Sequence, residues 1–251
     1  MLSEVIAATS LFPMVAYVRW KVSFLGFVAW LTFALACLTK VPEYVYSKDY
    51  YNTAVFFLAF IFFLFLSISI LLRNSDVFID VTAFSALACA IYFPFAFIAP
   101  LNYWIIGCTS DLTVALGKFL GFSMEKTGNI ITLNGRNIQI ILACTAIESM
   151  ALFTGATLGI RAERIRKIKA FLVSVPVIYI LNLFRNVFVV AAYAYSWFGE
   201  NSFYIAHNVM AKILSTIALI VIAYVVFRLL PELAELIYSL KDEMFRGAGL
   251  D

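Results

Sequence analysis

The stretch TAVFFLAFIFFLFLSISILL, residues 53–72, runs for twenty residues without a charge. As helix, at ~1.5 Å per residue, it is about 30 Å long, the thickness of a bilayer's hydrocarbon core. A surface helix of a soluble protein would carry a polar face, and a strand of a membrane barrel would alternate apolar and polar residues. This stretch does neither, so it reads as a transmembrane helix. The rest of the chain is built in the same way, and the fold class it predicts is an all-α polytopic membrane protein.

Outward from that run, similar segments fall at 4–18, 22–39, 79–99, 140–160, 170–193 and 206–230, which makes seven expected spans. The whole chain of 251 residues is 64% hydrophobic and 13% charged, which excludes an ordinary soluble domain and favours a single integral membrane domain. No cleavable signal peptide is expected, because the N-terminus lacks a basic segment and an Ala-x-Ala-like site. Orientation follows from Lys and Arg. One set of loops carries Arg19, Lys21, Arg73, Arg161, Arg164, Arg166, Lys167, Lys169, Arg228, Lys241 and Arg246; the opposite set carries Lys40, Lys48, Lys118, Lys126 and Arg136. The positive-inside rule places the richer set in the cytoplasm, with an external N-terminus and a cytoplasmic C-terminus.

The segment 101–139 is then an external insertion. Its first half, Tyr103 to Phe119, mixes Trp104, Ile105 and Leu116 with Asp111 and Lys118, as an interfacial or re-entrant helix would. Its second half predicts a β-hairpin: Ile130 to Leu133 lead into Asn134-Gly135, the favoured pair for a two-residue turn, and Asn137 to Ile140 follow.

Chemistry concentrates at one membrane face. Cys144 sits about four residues inside the fifth expected span, ~6 Å deep; Arg185 lies about eight residues, ~12 Å, below the end of the sixth; and His207, the only histidine, opens the seventh. A thiolate is a strong nucleophile, and a first-turn position with a nearby guanidinium favours that charge. His207 suits the acid and base, and Arg185 suits an oxyanion or the thiolate. Together they point to acyl transfer through a thioester. Each residue also has a plainer reading: a packed thiol, an interfacial imidazole and a structural ion pair. The spacing of Cys37, Cys89, Cys108 and Cys144 suggests neither zinc nor a redox dithiol, and no cofactor and no nucleic-acid partner is expected.

Four further residues support the site. Glu148 follows Cys144 by four and, on a continuous helix, would share its face; it is expected to pair with Lys212 or Arg185. Asn182 and Asn186 flank Arg185 and are expected either to hold its guanidinium or to bond between helices.

The segments Ala143-Cys144-Thr145-Ala146-Ile147-Glu148-Ser149-Met150, Asn182-Leu183-Phe184-Arg185-Asn186-Val187-Phe188 and Ala206-His207-Asn208 resemble the exosortase and archaeosortase family, in particular its archaeosortase A branch. The likeness runs through Leu230-Pro231-Glu232-Leu233. It implies a cysteine transpeptidase, in an archaeal cell membrane, that acts on secreted proteins ending in a short motif (Pro-Gly-Phe in that branch), a transmembrane helix and a basic tail. It further implies transfer of the new C-terminus to an amine-bearing membrane lipid. On this resemblance Cys144 is the nucleophile, Arg185 the second member and His207 the third, with Arg228 as the alternative because the family can use arginine there. Two other functions use the same residues. One is a thiol protease, with water in place of the lipid amine. The other is a transporter, against which stand the absence of an inverted repeat and the confinement of the charges to one layer.

Overall fold

The structure, a computed structural model, describes residues 2–246. In chain order its elements are α1 (Leu2–Thr9), α2 (Leu11–Trp20), α3 (Ser23–Tyr46), α4 (Tyr50–Leu72), α5 (Asp76–Phe97), α6 (Ala99–Phe119), strands β1 (Glu125–Thr127), β2 (Ile130–Leu133) and β3 (Arg136–Gln139), then α7 (Ile147–Leu158) and α8 (Arg164–Ala194). α9 (Ser202–Tyr204), α10 (Ala211–Leu229) and α11 (Pro231–Arg246) complete the chain. Short 3-10 turns occupy Leu142–Cys144 and Gly199–Asn201, and Ile205–Met210 is a π-helical stretch.

Among the described residues five helical stretches are long and apolar enough to cross a membrane: Ser23–Tyr46, Tyr50–Leu72, Asp76–Phe97, Arg164–Ala194 and Gly199–Leu229. They correspond to five of the seven expected spans. The other two are not continuous helices. The run at 4–18 is broken at Ser10, whose hydroxyl bonds back to the Ala7 carbonyl (2.6 Å), leaving two helices of 8 and 10 residues. The run at 140–160 becomes an extended entry, a 3-10 turn and a helix of only 12 residues. That helix is about 18 Å long, short of the ~30 Å of hydrocarbon.

Compact packing divides the chain into two units. The first comprises 1–90, 158–162 and 231–251. Its core joins Met14 and Tyr17 of α2, Trp30 of α3, Leu66 and Ile70 of α4, Phe78 of α5 and Leu240 of α11. Gly26 lets α3 approach closely: a Cβ there would lie 2.7 Å from Cγ2 of Ile70. The buried Trp30 indole donates to the Thr82 hydroxyl at 2.9 Å, so its one polar atom is satisfied inside the core.

The second unit comprises 91–157 and 163–230 and holds every candidate site residue. The expected hairpin is present, with Asn134 (φ 49°) and Gly135 (φ 73°) both left-handed as a type I′ turn requires. The sequence reading missed β1, which pairs antiparallel with β2 and makes a sheet of order β1-β2-β3. Ile131, Leu133 and Ile140 beneath this sheet form one core with Met124, Ile147, Val187 and Val190. The helix expected at 103–119 begins at Ala99, and its buried face (Ile106, Thr109, Ser110, Thr113, Gly117) recurs at helical spacing. α6 thus packs as a core helix, against α8. Gly117 of α6 packs on the segment that leads into β1, where the Met124 side chain leaves no room for a Cβ.

Candidate active site

Cys144 closes the turn Leu142–Cys144. Its N–H donates to the Ile141 carbonyl at 2.8 Å, and Thr145 caps the turn through its hydroxyl, which bonds the Leu142 carbonyl at 2.7 Å. The next residue, Ala146, is left-handed (φ 58°), and α7 starts only at Ile147. A non-glycine residue in that region costs ~1–2 kcal/mol, so surrounding structure must hold the break in place. Two expectations are corrected by this backbone. Cys144 precedes the helix by three residues instead of lying in its first turn, and the i, i+4 relation to Glu148 lapses. Glu148 enters α7 as its second residue, exposed, where a carboxylate complements the helix N-terminus.

The structure that holds the break comes from α8. Asn182 Nδ2 donates to the Cys144 carbonyl at 2.7 Å and Asn186 Nδ2 donates to the same oxygen at 3.0 Å. The two asparagines, four apart, share a helix face and are 8% and 4% exposed, so no water competes for their amides. They grip the backbone of Cys144, whereas the sequence reading assigned them to the Arg185 guanidinium or to helix pairing. Arg185 lies between them in sequence, half-buried, within electrostatic range of the Cys144 thiol.

The hairpin fixes the other end of the segment. Asn134 Nδ2 donates to the Ala194 carbonyl (3.1 Å); Arg136 bonds the Ser196 hydroxyl (2.8 Å) and lies 4.7 Å from the Tyr193 ring centroid. The chain therefore descends along α8 from its C-terminal end to Asn186 and Asn182, a distance of about 12 to 18 Å. Sequence reading missed Arg136 as an anchor, since a lone arginine beside a turn looks like any loop charge.

His207 lies in the π-helical stretch, its ring stacked on Phe203 (centroids 5.3 Å apart, planes 10° apart), with Nδ1 3.3 Å from Asn208 Oδ1. π-turns are rare and recur at functional sites, because the extra residue per turn re-aims side chains. The last helical stretch begins at Gly199, earlier than expected, so His207 is inside it. Arg185 is nine residues before the end of α8 and His207 eight after the start of the returning helix, about 12 Å along each. α8 packs against both the π stretch and α10, and Tyr193 meets Phe203 edge-on at 5.5 Å; counted from that contact and on the same side of it, His207 lies about 6 Å and Arg185 about 12 Å along the antiparallel pair. Lys212, half-buried, starts the next turn in α10. Arg228 is in the last turn of α10, some 30 Å along the helix from His207. Among the described residues all four cysteines are free, and no group of His, Cys, Asp or Glu is arranged to hold a metal ion.

A profile of the transmembrane exosortase family matches residues 6–227. Over 135 residues the chain is 29% identical to archaeosortase A of Natronomonas pharaonis, a stretch covering 47% of this chain and 42% of that protein. Over 272 aligned positions it is 24% identical to archaeosortase A of Haloferax volcanii, covering 89% and 88%. The chain thus aligns with under half the length of the first relative and most of the second. No solved structure matches. A profile match over most of the chain agrees with the likeness read from the segments around Cys144, Arg185 and His207, and the multi-pass helical fold fits it: the chain belongs to the transmembrane exosortase family.

Proposed function

We propose that this protein is a membrane-embedded cysteine transpeptidase acting on secreted proteins whose C-terminus carries a short Pro-Gly-Phe-like motif, a transmembrane helix and a basic tail. The observation that carries the reading is the grip of Asn182 and Asn186 on the Cys144 carbonyl. Two buried amides and a left-handed residue maintain an irregular backbone at this one cysteine, and irregular backbone at membrane depth is tolerated only where it is buried in protein or lines a cavity. A merely packed thiol would sit as well in a continuous helix.

The chemistry follows from the arrangement. The substrate's helix lies in the bilayer and its motif reaches Cys144. His207 takes the thiol proton as Sγ attacks the scissile carbonyl, and Arg185 stabilises the resulting oxyanion with its paired N–H donors. The C–N bond breaks, His207 protonates the departing amine, and the helix and tail leave. The amine of a membrane lipid then attacks the thioester, giving its proton to His207 and expelling the thiolate. Glu148 paired with Lys212 would balance charge beside the site. In this reading the basic start of α8 is cytoplasmic and Cys144 opens to the external face. In this reading the Cys144 turn with α7, and α1 with α2, complete the crossings.

The test is a reporter protein ending in Pro-Gly-Phe, an apolar helix and basic residues, expressed with this enzyme and weighed intact. The expected product has lost the helix and gained the mass of a lipid amine, and Cys144→Ala yields none. A product ending in a free carboxylate would make the enzyme a protease, and processing by Cys144→Ala would end the thiol mechanism.

A further inference from the structure

We propose that the open edge of β3 is the docking rail for the substrate, which adds its recognition segment as a fourth, extended strand that delivers the scissile carbonyl to Cys144. The inference deepens the transpeptidase reading and rests on it.

β3 is the last strand of the sheet and pairs on one side only. Its register to β2 sets which groups remain open. Leu133 pairs with Arg136 and Ile131 with Ile138, and the Ile140 N–H donates to the Asn129 carbonyl at 2.8 Å. In an antiparallel ladder hydrogen-bonded pairs alternate with non-bonded ones, so Arg136, Ile138 and Ile140 direct their main-chain groups at β2. Asn137 and Gln139 direct theirs outward, and both residues are exposed. Ile141 keeps an extended backbone (φ −120°, ψ 174°) and is 50% exposed, so its N–H continues the outward row.

An edge of this kind is a template for another strand, and proteins usually blunt it with lysine, proline or a covering element. The outward positions Asn137, Gln139 and Ile141 hold neither lysine nor proline. β1, the opposite edge, is different: Lys126 bonds Asp111 of α6 at 2.6 Å, and the strand is remote in sequence from the cysteine. β3 leads straight to it. Five residues after Gln139 comes Cys144, folded back by its 2.8 Å bond to the Ile141 carbonyl. A peptide carbonyl accepting from the Ile141 N–H, ~3 Å away, therefore ends within one turn of the thiol.

The rail is also held still. Asn134 and Arg136 fasten its start to the end of α8, Asn129 Nδ2 bonds the Ile140 carbonyl at 3.0 Å, and the asparagines of α8 fix the Cys144 carbonyl. A preformed edge spares the complex the ordering cost of a mobile loop. The ligand it selects is a peptide with free main-chain N–H and C=O groups at alternate positions; proline fits only where its missing N–H would face away from β3.

The experiment uses the full-length enzyme and the tripartite-tail reporter. Gln139→Pro deletes an outward N–H without touching the β2 ladder, a position where proline leaves a sheet intact; Gln139→Ala removes the side chain and keeps the N–H. Gln139→Pro should raise KM about tenfold relative to Gln139→Ala with kcat nearly unchanged, the scale of one lost main-chain hydrogen bond. Membrane insertion and alkylation of Cys144 report whether Gln139→Pro is folded. Independently of that, a single N-methyl amide is moved along the six residues preceding the apolar helix of a synthetic tail. Losses at every second position support the added strand, and uniform tolerance overturns it. Normal KM in a folded Gln139→Pro overturns it as well while Cys144→Ala remains dead; a reporter still processed by Cys144→Ala overturns the transpeptidase reading and this proposal together.

Discussion

The side-chain amide of Asn182 donates a 2.7 Å hydrogen bond to the main-chain carbonyl of Cys144, 38 residues earlier in the chain. Asn186 donates to the same oxygen one helical turn away. A carbonyl that would have served a continuous helix is thereby satisfied from α8, and the thiol-bearing residue is freed from helical geometry.

Removing either asparagine should leave the carbonyl one donor, so Asn182→Ala and Asn186→Ala are each expected to cost about 1 kcal/mol, roughly fivefold in kcat, at unchanged KM. The double variant strands a buried carbonyl and should slow alkylation of Cys144 by a maleimide reagent as well as turnover. Unaltered alkylation and turnover in the double variant would reduce the clamp to packing.

Arg185→Lys keeps the charge and loses the planar fork. If Arg185 holds the oxyanion, kcat should fall about 10²-fold or more, the usual consequence of deleting one such donor, with expression unchanged. Turnover within a few-fold of wild type would limit Arg185 to a general electrostatic role.

His207 and Arg228 compete for the third role. His207 lies about 6 Å from the level of Arg185 on the paired helices, whereas Arg228 is about 30 Å along the helix, so His207→Ala should lose ~10²-fold or more in activity and Arg228→Ala should alter only insertion or yield. Steady-state rates of both purified variants decide it. An inactive, well-inserted Arg228→Ala beside an active His207→Ala would contradict the placement.

Ala146→Gly tests the break itself. Glycine adopts φ 58° without the penalty alanine incurs, so the variant should be as stable as wild type or up to ~1 kcal/mol more stable in a detergent melt. Ala146→Val should lower the melting midpoint by several degrees, because a β-branched residue tolerates that region worst. Were residues 140–160 a continuous helix, the order would reverse, with glycine the destabilising choice.

How much was legible can be traced residue by residue. Residues 53–72 announce a span because length and polarity are local properties, and Asn134-Gly135 announce a hairpin because the turn's φ angles demand those residues. The break at Cys144 carries no such mark: alanine is the best helix former, so Ala146 gives no hint of a left-handed backbone, and hydropathy is the same for a strand, a turn or a helix. Asn182 and Asn186 were noticed beside Arg185, yet their partner is a carbonyl 38 and 42 residues away, which helical spacing alone cannot identify. β1 escaped because Glu125-Lys126-Thr127 lacks apolar alternation.

The most direct test asks which atom the substrate is attached to in mid-reaction. Purified enzyme is mixed with a tripartite-tail substrate in detergent stripped of lipid amines, quenched in acid, digested and mapped by mass spectrometry. The predicted result is a thioester on the peptide containing Cys144, labile to hydroxylamine and absent from Cys144→Ser, with Cys37, Cys89 and Cys108 unmodified. Substrate cleavage at the full rate with no adduct on Cys144, or with the adduct on another residue, would contradict the assignment of Cys144 as nucleophile.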